Sequence, residues 1–450
     1  MMHKLFGTDG IRGKVNHHPM DPETVLRVGM AAARALKKEQ GRNMVLIGKD
    51  TRLSGYMIES ALTSGICAMG MNVILVGPMP TPGVAFLTKT LRLDAGIVIS
   101  ASHNPYDDNG IKFFSSEGFK LPDHVEEEIE AMLRDEKAFA KRPSGTAIGK
   151  AFRLEDARGR YIEYIKSTVP KGITLEGLKV VVDCANGAAY KITPWVLEEL
   201  GAEVVSINDS PDGVNINESC GSLDPGKLKE AVLAHGAHVG VAHDGDADRT
   251  ILMDEKGEVA DGDHMLGIWS VELKNMGKLT GDTVVATVMS NLGLEHYLER
   301  NGIRLLRTKV GDRFVTEQML KGNFVLGGEQ SGHIVNLALN TTGDGPITAL
   351  HIIHLMKKLG LPLSELKAPI PIYPQVLINV EVKKGTAVSK IPGLEDVVKD
   401  SERELDGSGR VLVRASGTEP KVRVMVEGSN QKSVHAIAKN IAAYIKEKTA

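Results

Sequence analysis

The stretch AGIVISASHNP, residues 95–105, runs from an apolar segment into a loop of small and polar residues. HVGVAHDGDADR, residues 238–249, and NFVLGGEQSGH, residues 323–333, have the same form. Short apolar runs of this kind are typical of strands that are buried on both faces of a sheet. We call the loops that follow the serine loop (SASHNP, 100–105), the aspartate loop (HDGDADR, 243–249) and the glutamate loop (GEQSGH, 328–333). Because ligands of open α/β sheets bind beyond the carboxyl ends of strands, the three loops are predicted to face a shared cleft.

Each of these stretches ends a longer pattern that occurs three times. The pattern is strand, helix, strand, helix, strand, and its copies begin at NMVLIGKDTRLSG, KVVVDCANGAA and TVVATVMSNLG. Gly70, Gly201 and Gly302 lie where a helix is expected to end before the next strand. Alternating strands and helices indicate parallel crossover units. The sequence therefore predicts three similar α/β domains in series.

The pattern changes after Pro362. A proline-rich segment, KAPIPIYPQ, is typical of a linker, and a strand, a helix, two strands and a last helix follow it. This order predicts a smaller C-terminal α+β domain. A chain of 450 residues is also too long for one core, which rarely exceeds about 300 residues. The predicted domains are 1–150 with the serine loop, 151–254 with the aspartate loop, 255–365 with the glutamate loop, and 366–450.

The composition narrows the class of protein. Apolar residues make up 42% and charged residues 25%, which is ordinary for a soluble globular protein. The net charge of -3 and the pI of about 6.6 argue against nucleic acid as a partner. Cys67, Cys184 and Cys220 have no CxxC spacing, which argues against a disulfide framework or a zinc cluster. Because we find neither a signal-like apolar run nor a window of ~20 apolar residues, we expect a cytoplasmic protein that does not bind membranes.

The aspartate loop predicts a metal site. Asp244, Asp246 and Asp248 alternate along it, so their side chains can converge on one point. Three neighbouring carboxylates repel one another unless a hard cation binds them, and oxygen-only ligation suits Mg²⁺. The alternative is an ordinary acidic turn, as we expect for DEKG at 254–257. Three aspartates within five residues, directly after a buried strand, favour the metal site.

The serine loop offers a nucleophile. On its own, Ser100 or Ser102 would be assigned to capping a turn. Beside a magnesium site, a serine oxygen can carry a phosphoryl group, because the cation neutralises phosphate charge and polarises the P–O bond. The sequence has no Gly-x-Ser-x-Gly elbow that would indicate acyl transfer. Together with the aspartate loop, Ser102 is interpreted as the nucleophile.

The glutamate loop is suited to a sugar. Glu329 and Ser331 alternate between Gly328 and Gly332, where the backbone can approach a ligand closely. A carboxylate and a hydroxyl together can bind neighbouring sugar hydroxyls. His333 could act as an acid or base, since its ordinary pKa is near neutrality, but a lone loop histidine is more often only solvated.

A loop in the fourth domain is rich in phosphate-binding groups. We call RASGTEPKVRV, residues 414–424, the arginine loop. Guanidinium groups, hydroxyls and loop N–H groups together form phosphate sites, whereas the alternative is a β-turn with surface charges. The density of donors favours phosphate. The residues concerned are Arg414, Ser416, Gly417, Thr418 and Arg423.

Other glycine-rich loops carry less information. GTDGIRG (7–13) and GKDTRLSG (48–55) contain Arg12, Lys49 and Arg52, and a tight turn is the default interpretation of each. The sequence contains neither GxGxxG nor a Walker A motif, so neither a nicotinamide cofactor nor ATP is indicated.

In this order, GTDGIRG, ASHNP, DGDADR, GEQSGH and RASGTEPKVRV resemble the motifs of the α-D-phosphohexomutase superfamily. The resemblance covers essentially the whole chain, and the combination of motifs is far more specific than any single one. The stretches ISASHNPYDDNGIKFF and NINESCGS, together with Ala247 and Gln330, are most similar to the branch that acts on glucosamine phosphates. The glucose and mannose branches more often have Gly and Met at the positions of Ala247 and Gln330.

The resemblance implies four domains around a central cleft, bound Mg²⁺, and an intramolecular phosphotransferase. Such an enzyme interconverts glucosamine 6-phosphate and glucosamine 1-phosphate through a phosphoserine, with a sugar 1,6-bisphosphate as intermediate and activator. Its product feeds UDP-N-acetylglucosamine synthesis. The implied catalytic residues are Ser102, Lys112, His333 and Arg12, and the implied metal ligands are Ser102, Asp244, Asp246 and Asp248. The implied substrate-binding residues are Glu329, Ser331, Arg414, Ser416, Gly417, Thr418, Arg423 and Arg249.

Other functions are compatible with the same motifs. A phosphoglucomutase or phosphomannomutase would use the same chemistry on another sugar. A metal-dependent sugar phosphatase would transfer the phosphoryl group to water, and a non-catalytic sensor would only bind the sugar phosphate. The expected partner is in every case a small sugar phosphate, and a homodimer is one assembly compatible with the sequence.

Overall fold

The computed structural model describes residues 5–7, 9–38, 41–135, 137–383, 386–406, 408–415 and 420–449. Within these residues the strands form four separate sheets that follow one another along the chain. The chain divides into two compact units. The larger unit runs to Met289 and includes Leu305–Ala368, and the smaller one contains Ser290–Arg304 and the chain from Pro369 onward.

The first sheet has the strand order β1-β2-β6-β5-β3-β4-β7. Its strands are Phe6–Gly7 (β1), Gly10–Lys14 (β2), Met44–Lys49 (β3), Asn72–Pro78 (β4), Ala95–Ile99 (β5), Asp108–Ser115 (β6) and Ala151–Arg153 (β7). The helices of this region are Pro22–Leu36 (α1), Gly55–Ala68 (α2), Thr81–Thr90 (α3), Asp123–Arg134 (α4) and Ala157–Ser167 (α5). Asp21 caps α1 by accepting a hydrogen bond from Thr24 N at 2.8 Å. Helices α1 and α2 pack so closely at Gly65 that a Cβ there would lie 2.1 Å from Leu26 O.

The second sheet has the order β12-β11-β10-β8-β9. Its strands are Lys179–Asp183 (β8), Glu203–Ile207 (β9), Val239–His243 (β10), Thr250–Asp254 (β11) and Val259–Ala260 (β12). Its helices are Ile192–Glu199 (α6) and Gly226–His235 (α7). Strand β10 is buried along its whole length, as expected for a strand covered on both faces.

The third sheet has the order β14-β13-β15-β16. Its strands are Thr283–Thr287 (β13), Arg304–Thr308 (β14), Leu326–Gly328 (β15) and Ile334–Asn336 (β16). The helices that follow the second sheet are Gly262–Asn275 (α8), Leu292–Arg300 (α9), Asp312–Gly322 (α10), Gly345–Leu359 (α11) and Leu363–Lys367 (α12). The three repeated α/β units predicted from the sequence are thus present.

Each of the three loops joins two antiparallel strands. The serine loop leads from β5 into β6, the aspartate loop from β10 into β11, and the glutamate loop from β15 into β16. The sequence pattern predicted the first strand of each pair but not the second. Both ends of each loop are therefore held by the same sheet, which restricts where the loop side chains can lie.

The predicted helix ends are confirmed. Gly70, Gly201 and Gly302 follow the ends of α2, α6 and α9, with φ angles of 82°, 94° and 65°. Left-handed φ is favourable for glycine, so these residues end the helices and turn the chain toward the next strand.

The fourth sheet lies in the smaller unit and has the order β17-β19-β18. Its strands are Gln375–Glu381 (β17), Gly409–Ala415 (β18) and Lys421–Gly428 (β19), and its helices are Leu394–Glu404 (α13) and Gln431–Thr449 (α14). Valine side chains on one face of the sheet form a core with α13 and α14. The proline-rich segment is anchored, since Asn291 Nδ2 donates to Tyr373 O at 3.0 Å and Tyr373 N donates back to Asn291 Oδ1 at 3.0 Å. The predicted fold class, three α/β domains and a smaller α+β domain, is confirmed.

Every helix in the described part of the chain is too short or too polar to cross a lipid bilayer. The cysteines Cys67, Cys184 and Cys220 are free thiols, as their spacing predicted.

Candidate active site

Ser102 lies at the tip of the serine loop in a strained and buried position. Its φ of 52° is in the left-handed region, which non-glycine residues rarely adopt, and the residue is 2% exposed. Its Oγ donates a hydrogen bond to Asp244 Oδ2 at 2.6 Å. Its backbone N donates to Ser100 Oγ at 2.9 Å, and Ser100 Oγ donates to Asp50 Oδ2 at 2.6 Å. The loop is therefore shaped by its own hydrogen bonds so that the Ser102 hydroxyl points at the aspartate loop.

Arg52 stabilises the serine loop through hydrogen bonds to its backbone. This side chain is fully buried, and its Nε donates to Asp50 Oδ2 at 2.8 Å. Its two terminal nitrogens donate to backbone carbonyls of the serine loop and the start of β6, namely those of Ser102 at 3.0 Å, Asn104 at 2.8 Å, Asp108 at 3.1 Å, and Pro105. The glycine-rich sequence around Arg52 predicts only a tight turn. The available signal was its position after β3, which is the neighbour of β5 in the sheet.

The three aspartates of the aspartate loop converge as predicted. One carboxylate oxygen from each of Asp244, Asp246 and Asp248 lies within 4.8 Å of the others, and all three residues are buried. Asp246 Oδ1 and Asp248 Oδ1 are buried and have no hydrogen-bond partner among the described residues. Burial first, and then the charges of Asp248 and Asp246, raise the pKa of Asp244 to about 8. Buried, unsatisfied carboxylate oxygens that repel one another fit a hard divalent cation such as Mg²⁺.

Thr81 orients one of these carboxylates. Its Oγ1 donates to Asp246 Oδ2 at 2.6 Å, and its N donates to Asp246 O at 3.0 Å. Thr81 begins α3 directly after β4, and the sequence analysis did not single it out. Such a second partner fixes the direction of a metal-binding carboxylate.

Lys112 brings a positive charge to the aspartates. Its Nζ, on β6, lies 2.8 Å from Asp246 Oδ2, 3.2 Å from Asp248 Oδ2 and 3.2 Å from Asp9 Oδ2. Burial alone would lower the pKa of Lys112, but these three carboxylates raise it well above its usual value. Lys112 is therefore an ammonium group beside the three aspartates, where it can also attract a phosphate.

His103 lies next to the Ser102 hydroxyl, and Arg249 contacts His103. His103 Nδ1 is 3.2 Å from Ser102 Oγ, and Arg249 Nη1 is 3.0 Å from the same nitrogen. Burial and the charges of Arg249 and Arg12 lower the pKa of His103 to about 4, so the imidazole is neutral and accepts from Arg249. Arg249 was predicted to bind substrate. His103 was missed, although it belongs to the quoted serine loop, because a loop histidine carries no specific signal.

Arg12 lies on β2 and forms an ion pair with Asp9. Its Nε is buried and has no hydrogen-bond partner among the described residues. Asp9 contacts both Arg12 and Lys112, so two of the predicted catalytic cations share one carboxylate.

The glutamate loop lies against the start of β11. Gly332, with φ of 90°, approaches so closely that a Cβ there would lie 1.9 Å from Thr250 O. Glu329 Oε1 accepts a hydrogen bond from Gly311 N at 3.0 Å, and Ser331 is exposed. The loop is thus placed beside the aspartate loop, and its polar side chains remain accessible to a ligand.

His333, which ends the glutamate loop, is buried between two carboxylates. Its Nδ1 is 3.7 Å from Asp248 Oδ1 and its Nε2 is 3.7 Å from Asp312 Oδ2. Burial alone would lower the pKa of His333, but nearby carboxylates, Asp248 foremost, raise it. Gly343 N donates to Nε2 at 3.1 Å, so the neutral ring carries its proton on Nδ1, toward Asp248.

In the smaller unit, Arg414 and Arg423 are directly opposite each other on β18 and β19. Burial and the charge of Arg423 lower the pKa of Arg414. Two adjacent guanidinium groups repel each other and favour a bound anion. Ser416, Gly417 and Thr418, which were also predicted to bind phosphate, lie outside the described residues.

The chain matches a known family along nearly its whole length. Four domains of the phosphoglucomutase/phosphomannomutase family match in series: alpha/beta/alpha domain I at residues 3–139, domain II at 159–257, domain III at 261–373 and the C-terminal domain at 377–444. The chain is 56% identical to a phosphoglucosamine mutase of Thermodesulfovibrio yellowstonii over 98% of both chains. It is 53% identical to a phosphoglucosamine mutase of Syntrophotalea carbinolica, covering 99% of this chain and 98% of that one. The chain belongs to the phosphoglucosamine mutase family.

Solved structures share the fold of this phosphoglucosamine mutase family member. A phosphoglucomutase/phosphomannomutase family protein from Burkholderia thailandensis aligns with a TM-score of 0.81 at 22% identity, over 100% of this chain and 98% of that one. An Aspergillus fumigatus N-acetylphosphoglucosamine mutase, in complex with GlcNAc-6P and magnesium, aligns with a TM-score of 0.70 at 17% identity, over 99% and 96% of the two chains. The family membership predicted from the motifs is confirmed, as is the class of enzyme, an intramolecular phosphotransferase.

Proposed function

We propose that the protein interconverts glucosamine 6-phosphate and glucosamine 1-phosphate through phosphorylated Ser102 and a bisphosphorylated sugar. The observation that carries this proposal is the 2.6 Å contact between Ser102 Oγ and Asp244 Oδ2, within a buried cluster of three aspartates. A hydroxyl beside a cation site is what phosphoryl transfer requires. The names of the relatives support the amino sugar as substrate.

Two transfers of opposite direction make up the proposed reaction. In the first, the bond between phosphorus and Ser102 Oγ breaks, a bond from phosphorus to O1 or O6 of the sugar phosphate forms, and that hydroxyl loses its proton. His333 takes up this proton, because Lys112 is already an ammonium group and can only stabilise negative charge, and Ser102 Oγ gains a proton as it leaves phosphorus. The bisphosphate then turns over in the site. In the second transfer Ser102 Oγ loses its proton and bonds to the other phosphorus, the bond from that phosphorus to the sugar oxygen breaks, and the sugar oxygen gains a proton.

The residues around Ser102 are proposed to bind the cation and to supply positive charge for the transfer. Ser102, Asp244, Asp246 and Asp248 would hold Mg²⁺, which when bound neutralises phosphate charge and polarises the P–O bond. Lys112 and Arg249 add positive charge beside the transferring group. Arg12 adds a third cation on the Asp9 side.

The rest of the substrate is proposed to be held by two loops. Glu329 and Ser331 of the glutamate loop bind sugar hydroxyls, because a carboxylate and a hydroxyl at accessible alternate positions suit neighbouring OH groups. The arginine loop, with Arg414 and Arg423, binds the phosphate that is not being transferred. The second proposal rests on the paired guanidinium groups and on the motif.

The burial of Ser102 favours the mutase over a phosphatase. Ser102 is 2% exposed, so bulk water has little access to its hydroxyl oxygen. A water-poor site protects a reactive phosphoserine from hydrolysis. Transfer to a bound sugar hydroxyl is therefore favoured.

The decisive experiment measures turnover on three sugars with protein whose Ser102 phosphorylation has been checked by intact mass. Glucosamine 6-phosphate, glucose 6-phosphate and mannose 6-phosphate are compared at equal concentration, and inorganic phosphate is measured in parallel. We expect the fastest formation of 1-phosphate from glucosamine 6-phosphate, with no matching phosphate release. Faster turnover of glucose or mannose phosphate, or phosphate release equal to substrate loss, would contradict the proposal.

Two properties expected from the sequence stay predictions. Cell fractionation tests the cytoplasmic location, and light scattering coupled to gel filtration tests whether the protein is a homodimer.

A further inference from the structure

Lys120 lies between two carboxylates that belong to different parts of the site. Its Nζ is 2.5 Å from Asp9 Oδ1 and 2.6 Å from Asp312 Oδ2. The side chain is 21% exposed. Burial alone would lower the pKa of Lys120, but Asp312 and Asp9 raise it. Lys120 is thus a fixed positive charge that binds two negative ones through short, charge-assisted hydrogen bonds.

Through Asp9, Lys120 is connected to the aspartate cluster. The other oxygen of Asp9 contacts Arg12 and lies 3.2 Å from Lys112 Nζ. Lys112 Nζ in turn lies 2.8 Å from Asp246 Oδ2. The position of Asp9 therefore fixes the cations that lie beside the metal-site carboxylates.

On the other side, Lys120 leads to the glutamate loop. Asp312 is the first residue of α10, and the preceding Gly311 N donates to Glu329 Oε1 at 3.0 Å. Asp312 Oδ2 is also 3.7 Å from His333 Nε2. Moving Asp312 would therefore move the start of α10 together with the groups that orient Glu329 and His333.

We propose that Lys120 is a positioning residue for phosphoryl transfer, holding the glutamate loop at a fixed distance from Ser102 and the aspartates. This inference rests on the proposed function, in which the glutamate loop binds the sugar and Ser102 carries the phosphoryl group. Transfer requires the sugar oxygen to lie in line with phosphorus, and a misplacement of about 1 Å can cost roughly a hundredfold in rate. Lys120 supplies an ionic link between the two halves of that geometry, in addition to the contact between His333 and Asp248.

A second ion pair provides a matched control. Arg313 Nη1 lies 2.5 Å from Asp123 Oδ1, so it joins α10 to α4 in the same region. The side chain of Asp123 is 60% exposed. Neither Asp123 nor Arg313 belongs to the residues that are proposed to bind substrate or to act in catalysis. Breaking this pair removes an ion pair between α10 and α4 without touching Asp9, Lys112 or Glu329.

The test compares Lys120→Met with Asp123→Asn. For Lys120→Met we expect kcat with glucosamine 6-phosphate to fall roughly ten- to a hundredfold, with a much smaller change in KM, because the binding groups remain but are misaligned. Lys120→Arg should recover most of the loss, since a guanidinium can bind both carboxylates. Asp123→Asn should leave kcat within about twofold of wild type, as is usual for exposed ion pairs.

A double variant separates positioning from general destabilisation. Lys120→Met combined with Asp312→Asn should lose no more kcat than Lys120→Met alone, because both changes break the same link. Unchanged kcat in folded Lys120→Met, or equal losses in Lys120→Met and Asp123→Asn, would overturn the inference. If Lys120→Met does not fold, Lys120→Gln and Asp312→Asn replace it with the same expected outcomes.

The inference can fail independently of the proposed function. Absence of wild-type turnover on glucosamine 6-phosphate would refute the proposed substrate. In that case the same variants are compared on the hexose phosphate that wild type does convert, and an unaffected kcat there would refute the role of Lys120.

Discussion

Ser102 Oγ and Asp244 Oδ2 lie 2.6 Å apart although 142 positions separate the two residues in the chain. The hydroxyl follows β5 of the first sheet, and the carboxylate follows β10 of the second. The serine loop and the aspartate loop therefore form one chemical centre.

Replacing Ser102 by Ala should reduce mutase turnover by roughly a thousandfold or more, because the atom that we propose as the phosphoryl carrier is lost. Substrate binding, measured by calorimetry, should remain. Ser60 is an exposed serine on α2 whose Oγ donates only to Tyr56 O, so Ser60→Ala should keep full activity. Full turnover in the Ser102→Ala variant would exclude the covalent route.

Binding of Mg²⁺ at pH 7 should release a proton. The pKa of Asp244 in the metal-free protein is about 8, so at pH 7 this carboxyl is mostly protonated and must lose its proton to bind the cation. Apparent Mg²⁺ affinity should therefore rise with pH and level off above about 8. Calorimetry in two buffers of different ionisation enthalpy measures the released proton.

Controls for this prediction are chelation and substitution of the ligand. Excess EDTA should abolish turnover and added Mg²⁺ should restore it, while Asp244→Asn should bind Mg²⁺ weakly and without proton release. Mg²⁺ affinity that does not depend on pH would contradict the assignment of Asp244, and activity that persists in EDTA would remove the metal site.

Replacing Arg52 by Met should destabilise the fold as well as the site. The substitution leaves Asp50 and several backbone carbonyls of the serine loop without their buried donor, and breaking a buried ion pair typically costs about 3–5 kcal/mol. Urea unfolding measures this loss. Arg42→Met, at an exposed arginine that donates to Leu91 O, should change the free energy of unfolding by about 0.5 kcal/mol or less. Equal effects of the two substitutions would show that Arg52 does not support the loop.

Replacing Arg414 by Ala should mainly raise KM, by roughly tenfold or more, because a hydrogen bond to a charged phosphate contributes about 1.5–3 kcal/mol. The rate of phosphoryl transfer at saturating substrate should change much less. Arg403, which pairs with Asp400 on the solvent-exposed face of α13, is the control, and Arg403→Ala should leave KM unchanged. An unchanged KM in Arg414→Ala would refute the phosphate-binding role of the arginine loop.

The sequence predicts the parts of the site whose residues are close together in the chain. Asp244, Asp246 and Asp248 alternate directly after a buried strand, so their convergence follows from a single short motif. Arg52 and Thr81 act on groups far away in the chain, at the neighbouring ends of β3 and β4. Their role depends on strand order, which the apolar pattern does not specify.

The second strand of each antiparallel pair was missed for a related reason. Strand β16 has only three residues, Ile334–Asn336, which is too short for a periodic pattern. Strand β11 is buried throughout. It follows the aspartate loop directly, at a position where the alternation of strands and helices predicts a helix. The repeat thus predicted the parallel strands of each sheet and not the antiparallel strand that follows each loop.

The pairing of β10 with β11 limits how the aspartate loop can change during evolution or in the laboratory. His243 is opposite Thr250, and Ile251 and Met253 reach the same apolar cluster as Ala242. Adding or deleting one residue in the loop would shift this register and turn those apolar side chains to the other face of the sheet. Natural or engineered changes of substrate in this enzyme should therefore arise from substitutions at constant loop length, and libraries that vary the length should yield unfolded protein.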